Sequence, residues 1–229
     1  ETWVMILGDD DVLSDNFVEE FYNNLNKFEN TISVIRYSTF KIDEKSNYTT
    51  KKHTNSEIEN CFEFLINKKR SSLSEYIFKK DKVLFYQFKN FPLAWFSDYL
   101  AVIEFSELGN VFSINSAHVL VRISKESISG QNHNFVLKNK ANFLFYKYIF
   151  KKYYNKLTTI QLTFISENLN KCFYNNKKKI NWFVLICLCY LRKFNFLLLF
   201  VFLKGIFVNP LSARFTLPLK LTTKSSVIS

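Results

Sequence analysis

The sequence predicts an α/β fold followed by a helical C-terminal segment, and three observations predict it. Residues 3–7 are a continuous apolar run that ends at Gly8 and three aspartates. Strand-like and helix-like stretches then alternate as far as residue 124. From about residue 134 to 208 the texture changes to long Phe, Tyr, Lys and Asn segments with helical character.

Taken in order, residues 3–7 fit a strand covered on both faces, as in a parallel sheet. Asn16 and Glu19 have capping-box spacing, and Phe17, Phe21, Leu25 and Phe28 fall on one helical face, so a helix begins just after the acidic turn. Residues 31–42, rich in β-branched and aromatic types, predict a second strand, and 43–55 a polar loop. Residues 56–66 read as a helix, and 72–78 as the start of another. The segment NFPLAWFSDYLAVIEFS (90–106) predicts an extended, Pro-containing approach, an acidic turn and a helix. Residues 111–124 alternate as a strand does. Residues 182–191 and 196–203 are strongly apolar, but Arg192, Lys193 and Asn195 interrupt them. Neither run reaches the ~18 to 20 residues that span a bilayer, so buried or interfacial helices fit better. Residues 209–229 give no packing signal and are expected to be disordered. The expected organisation is therefore 1–133, 134–208 and 209–229.

A chain of 229 residues is long enough for one principal domain with a full core, and 48% hydrophobic with 18% aromatic content excludes a mostly disordered polypeptide. The net charge of +11 is unevenly distributed. Asp9, Asp10, Asp11, Asp15, Glu19 and Glu20 crowd the start, whereas Glu167 is the only acid from Lys138 onward. An acidic site thus precedes a basic tail, and the basic segments lack the arginine-aromatic interleaving of a nucleic-acid surface. Cys61, Cys172, Cys187 and Cys189 show neither CxxC spacing nor disulfide-scaffold density, which predicts reduced, mostly buried thiols in a cytosolic setting. The abrupt start at Glu1, without a methionine or a signal peptide, predicts a fragment.

Three consecutive carboxylates at the end of a buried strand repel one another unless a cation or a set of donors compensates. Mg²⁺ or Mn²⁺ suits this, because one or two carboxylates suffice when substrate phosphates complete the shell. Acids that merely favour a helix dipole are the plainer explanation. Asp98 can serve as a general base or as a helix N-cap. Arg122 can reach a phosphate or join an ion pair. Trp95 can stack on a sugar or fill a core. His118 and His133 lack partner spacing for metal binding and fit packing or surface roles.

The segments WVMILGDDDVL and SDNFVEEFY together resemble the DxD region of family 2 glycosyltransferases. SSLSEYIF, FPLAWFSDYLAVIEFS and VLVRISKESISG follow in the order and approximate spacing of the bacterial members that build surface polysaccharides. The resemblance runs from about residue 2 to 130, and the succession is more specific than any one segment. It implies the C-terminal part of a GT-A, Rossmann-like domain with a mixed sheet, lacking the N-terminal nucleotide-binding half. It also implies that Asp9 and Asp11 hold the metal and the diphosphate of a nucleotide-sugar donor, with Asp10 between them contacting the donor. Asp98 falls at the position of the catalytic base, although Tyr99 stands where many relatives carry a second acid. Arg122 would then face donor phosphate and Trp95 the acceptor. The implied reaction is inverting, Mn²⁺- or Mg²⁺-dependent transfer to a saccharide or lipid-linked acceptor. The setting is the cytoplasm, with peripheral attachment to the cytoplasmic membrane face, and the fragment alone is expected to be inactive.

Two other classes compete. GDD after an apolar strand also resembles the metal turn of template-directed RNA polymerases, but there the acids lie in a hairpin between strands, and here a helix is expected to follow. A non-enzymatic fragment that docks on a membrane or a partner through its basic, aromatic helices is the other; lysines 177–179, Arg192 and Lys193 beside apolar runs suit it.

Overall fold

A computed structural model describes residues 2–28, 30–67, 71–123, 134–176 and 179–207. The chain divides into two compact units, Glu1–Cys172 and Phe173–Ser229. In the first unit the elements run β1 (Trp3–Met5), β2 (Val12–Leu13), α1 (Phe17–Phe28), β3 (Val34–Ile42), β4 (Ile58–Asn60), α2 (Glu63–Ile66), β5 (Tyr76–Lys79), α3 (Lys80–Tyr86), α4 (Ser97–Phe105), β6 (Asn110–Arg122), α5 (Phe135–Tyr153) and α6 (Thr159–Tyr174), whose last two residues fall in the second unit. The second unit continues with α7 (Ile180–Arg192) and α8 (Phe196–Phe207).

The sheet is mixed, as expected, with the strand order β1-β5-β3-β6-β2. Among the described residues only β3 and β6 pair in parallel; β1 with β5, β5 with β3, β2 with β6 and β4 with β6 are antiparallel. β6 is shared: its first residues pair with β4 and its last with β2 along the same edge, while β3 runs beside it. Between Tyr37 and Ser38 the register slips, so that Tyr37 faces Ile114 but Ser38 faces His118. The residues of β6 left over at this bulge are put to use. Asn115 exchanges hydrogen bonds with the backbone of Asn55, and Ser116 accepts from Asn16 through its carbonyl and donates to Glu20 at the start of α1.

Alternation of side chains along β3 builds a core on each face of the sheet. Ile35 and Tyr37 pack with Phe17, Phe21 and Phe28 of α1 and with Phe112, Ile114 and Val119 of β6. The Phe17 and Tyr37 rings stack at 3.8 Å, and the Tyr37 hydroxyl donates to the Phe17 carbonyl. On the opposite face Phe78 of β5 meets Phe105 of α4 edge to face at 5.1 Å.

Several expectations need correction. Residues 3–7 form a three-residue edge strand that is antiparallel to its neighbour and only partly buried, because one side of β1 has no strand beside it among the described residues. Residues 56–66 hold β4 before the short α2, and 72–78 hold a 3-10 turn (Leu73–Glu75) followed by β5, because pairing with β6, β1 and β3 captures segments too short for their periodicity to decide. α3 occupies the lysine-flanked stretch for which no helix was predicted. The side chain of Asn16 is bonded to Ser14 and Ser116 instead of completing a box with Glu19. The expected tail at 209–229 and His133 lie outside the described residues.

α5 packs against the segment that leads into α4: Phe145 stacks on Phe96 at 4.6 Å and meets Phe91 edge to face. Below that contact, Glu104 of α4 is buried, and a single carboxylate oxygen accepts from Tyr148 (2.9 Å), Lys152 (2.7 Å) and Tyr153 (2.7 Å) of α5. Glu104→Ala is expected to lower unfolding free energy by about 3 kcal/mol, since it strands three donors, one of them charged. A urea titration followed by circular dichroism measures it, and a loss below about 0.5 kcal/mol would mean that the cluster is solvated in solution.

Candidate functional site

Residues 8–11 make a tight turn between β1 and β2, closed by the Asp11 amide donating to the Gly8 carbonyl at 3.3 Å. The Gly8 amide donates to Ser74 Oγ at 2.9 Å, and Asp11 Oδ1 accepts the backbone amide of Arg122 at 3.0 Å. The turn is therefore pinned both to the segment before β5 and to the end of β6. Space at Gly8 is tight, because a Cβ would lie 3.0 Å from Asp11 Oδ2 and 3.4 Å from Ser74 Oγ, so that the Asp11 carboxylate would have to shift slightly to admit one. Asp11 is half-buried, whereas Asp9 and Asp10 are exposed and present their carboxylates to solvent.

Arg122 fastens the same turn from the other side. Its Nε donates to the Asp10 carbonyl at 3.2 Å, one terminal nitrogen donates to the carbonyls of Asp43 (2.8 Å) and Glu44 (3.3 Å), and both terminal nitrogens reach Ser46 Oγ. The guanidinium thus clips two loops together beside the aspartates. Asp43 closes its own loop: bonds from the Asn47 side chain and amide hold its carboxyl below the usual range.

Asp98 is the second residue of α4 and half-buried. The N-cap position belongs to Phe96, so the plainer reading of Asp98 as the capping residue does not describe it. The approach to the helix is strained in a way that the sequence conceals. Leu93, Ala94 and Phe96 have φ of 60°, 52° and 70°, a left-handed conformation that costs residues with a Cβ roughly 1–2 kcal/mol each. Packing holds it: Phe96 lies among Tyr99, Phe145 and Tyr146, and Ser97 Oγ donates to the Lys89 carbonyl at 2.7 Å. Trp95 is half-buried, with the Lys138 ammonium 4.8 Å from its ring centre.

Residues 71–76 lie beside the acidic turn. Ser74 holds Gly8, and two residues further on Tyr76 bonds Ser71 through its hydroxyl at 3.0 Å. Burial above all raises the Tyr76 phenol well above its ordinary value; Arg36 opposes this, and the charges of Glu75 and Asp98 add to it. The acidic turn is thus bonded to this segment through Ser74. Its foundation is a buried ion pair: Glu75 Oε1 lies 3.1 Å from Arg36 Nε and 3.0 Å from Nη2. The guanidinium sits 5.6 Å and 5.8 Å from the ring centres of Phe64 and Tyr76. Burial alone would lower the Arg36 pKa, but Tyr76 and Glu75 reverse the sense and raise it. Sequence reasoning singled out none of Arg36, Ser74, Glu75 or Glu104. For the ion pair, the available signal was a charge of opposite sign within each of two largely apolar segments, 31–42 and 72–78.

Among the described residues, no three His, Cys, Asp or Glu side chains form a group able to hold a metal ion by themselves. The donor set at the turn is nonetheless of the right chemistry for Mn²⁺ or Mg²⁺ shared with a diphosphate: hard carboxylate oxygens on Asp9 and Asp11, with Asp11 Oδ1 already engaged. His118 is half-buried and its ring lies against Phe40; burial, then Lys52, lowers its pKa, which fits a packing role. The four cysteines are free thiols. Compared with models of protein families and with curated proteins, the sequence matches none.

Proposed function

We propose that this chain is the metal- and acceptor-handling part of an inverting family 2 glycosyltransferase of GT-A type. The enzyme would move a sugar from a nucleotide-diphosphate donor to a saccharide or lipid-linked acceptor in the synthesis of cell-surface polysaccharide. The observation that carries the reading is the acidic turn itself, fastened at Gly8 to Ser74 and at Asp11 to the Arg122 amide while Asp9 and Asp10 stay open to solvent. The resemblance of the successive segments supplies the reaction class. In this reading Asp98 accepts the proton of the acceptor hydroxyl as its oxygen bonds to the anomeric carbon and the bond to the diphosphate breaks, which inverts the centre. Asp9 and Asp11 hold Mn²⁺ or Mg²⁺, whose charge offsets that of the leaving diphosphate. Asp10 contacts the donor, Arg122 stiffens the turn and adds positive charge beside it, and Trp95 borders the acceptor. The enzyme would work in the cytoplasm, peripheral to the membrane.

The topology argues against the polymerase alternative. β1 and β2, which flank the acids, lie at opposite ends of the strand order and do not pair with each other. The test is Mn²⁺ binding, followed by electron paramagnetic resonance in the presence of a nucleoside diphosphate. The chain is expected to retain the ion, and Asp9→Asn and Asp11→Asn to release it. Asp98→Asn should leave that binding intact while slowing transfer by roughly 100- to 10,000-fold, in a product that includes any donor-binding half encoded upstream. Mn²⁺ retention unchanged in both turn variants would end the proposal.

A further inference from the structure

α7 and α8 present the wrong faces to water. α7 buries Trp182, Ile186, Cys189 and Tyr190, yet Ile180, Val184, Leu188 and Leu191, spaced by four, four and three residues along its other side, are exposed. A helix on the surface of a water-soluble domain carries polar residues at such positions. α8 repeats the pattern: Phe202 is buried, while Phe196, Leu197, Phe200 and Val201 are exposed. At the turn between them Phe194 is 81% exposed and has φ 51°, so a large apolar ring is held out at the tip in a conformation that favours glycine.

The hairpin is nevertheless firmly built. Phe202 is fully buried against the rings of Phe173, Tyr174, Phe183 and Tyr190, and the Tyr174 hydroxyl donates to its carbonyl at 2.9 Å. Gly205 admits that tyrosine, because a Cβ there would collide with the hydroxyl. The exposed apolar faces belong to ordered helices with a core of their own.

We propose that the α7–α8 hairpin is a membrane-surface anchor, its exposed apolar residues entering the boundary between headgroups and acyl chains of a bilayer rich in anionic phospholipid. Charge selects this occupant. Residues 179–207 contain Lys179, Arg192, Lys193 and Lys204 and no aspartate or glutamate, so the apolar faces are accompanied by one sign of charge only. That pattern complements phosphate headgroups, whereas a second copy of the same surface would bring like charges together. Length excludes crossing: at 13 and 12 residues the helices are about 20 Å and 18 Å long, against about 30 Å of hydrocarbon. No helix among the described residues is long and apolar enough to span a membrane.

The inference needs neither donor nor acceptor, so it stands or falls apart from the sugar-transfer reading. The test is co-sedimentation of the full chain with phosphatidylcholine vesicles, with and without phosphatidylglycerol, at low and high salt. Binding is expected only with the anionic lipid and to weaken with salt. Phe196→Ser with Phe200→Ser should weaken it by roughly tenfold or more, as should Arg192→Gln with Lys193→Gln. All four positions lie outside the buried core, and circular dichroism verifies that each variant keeps its helices. Equal binding to neutral vesicles, indifference to either pair of substitutions, or dimerisation in place of vesicle binding overturns the proposal.

Discussion

Glu75→Ala is expected to destabilise the protein by about 3–5 kcal/mol, the largest effect of any single substitution considered for this fold. The carboxylate is 1% exposed and its partner guanidinium 7%, so removal leaves a positive charge enclosed by Phe64, Tyr76 and the sheet, with water unable to take the place of Glu75. The cost comes chiefly from a desolvated charge that loses the carboxylate bonded to it, and it exceeds the value of the pair itself. Pairing Glu75→Leu with Arg36→Met removes both charges while keeping apolar volume, and should recover much of the loss. Denaturant midpoints of the single and double variants decide the matter. A single variant as stable as the parent would mean that the pair is open to solvent.

Alkaline conditions should unfold the protein steeply, beginning near pH 9. Burial raises the thiols of Cys61 and Cys172 from 9.0 to about 12 and the phenol of Tyr174 from 10.0 to about 12. Tyr37, Tyr76, Tyr146 and Tyr153 are raised as well, each chiefly by burial. In every case the folded state retains a proton that the unfolded chain gives up first. Their stabilisation is therefore complete below the unfolded values near 9 and 10, and it drains away as pH climbs towards the folded ones. A buried thiol alone changes stability by about 1.4 kcal/mol per pH unit within that window. Melting temperature should be flat up to about pH 8 and then fall sharply, and replacing Cys61 and Cys172 by Ala should soften the fall. A flat profile to about pH 11 would show that these groups are accessible to water.

What could be read from the sequence follows the range of the forces involved. α1 was legible because Phe17, Phe21, Leu25 and Phe28 share a face whatever they pack against, and β3 and β6 because long β-branched and aromatic runs favour pleated, buried backbone. Residues 56–66 and 72–78 were misread because their fate is settled by strands far away in sequence, and a window of that size supports either period. Of the candidate site, the acidic turn was visible as three adjacent carboxylates, and Asp98 through the resemblance. Ser74 could not be seen, since one hydroxyl that fastens Gly8 leaves no periodic trace. Nor could the left-handed backbone at Leu93, Ala94 and Phe96, where no glycine announces it.

The position of β6 within the sheet bears on how the chain acquires its shape during synthesis. Ile35 must wait for Phe112, Val12 for Leu120 and Ile58 for Phe112, so β2, β3 and β4 emerge from the ribosome well before the strand that joins them. A nascent chain halted before Asn110 could pair β1, β5 and β3 but would leave the other side of β3 bare. Closing so wide a loop is slow, and the waiting edge is adhesive. A chain paused at that point is therefore expected to self-associate more readily than the finished one.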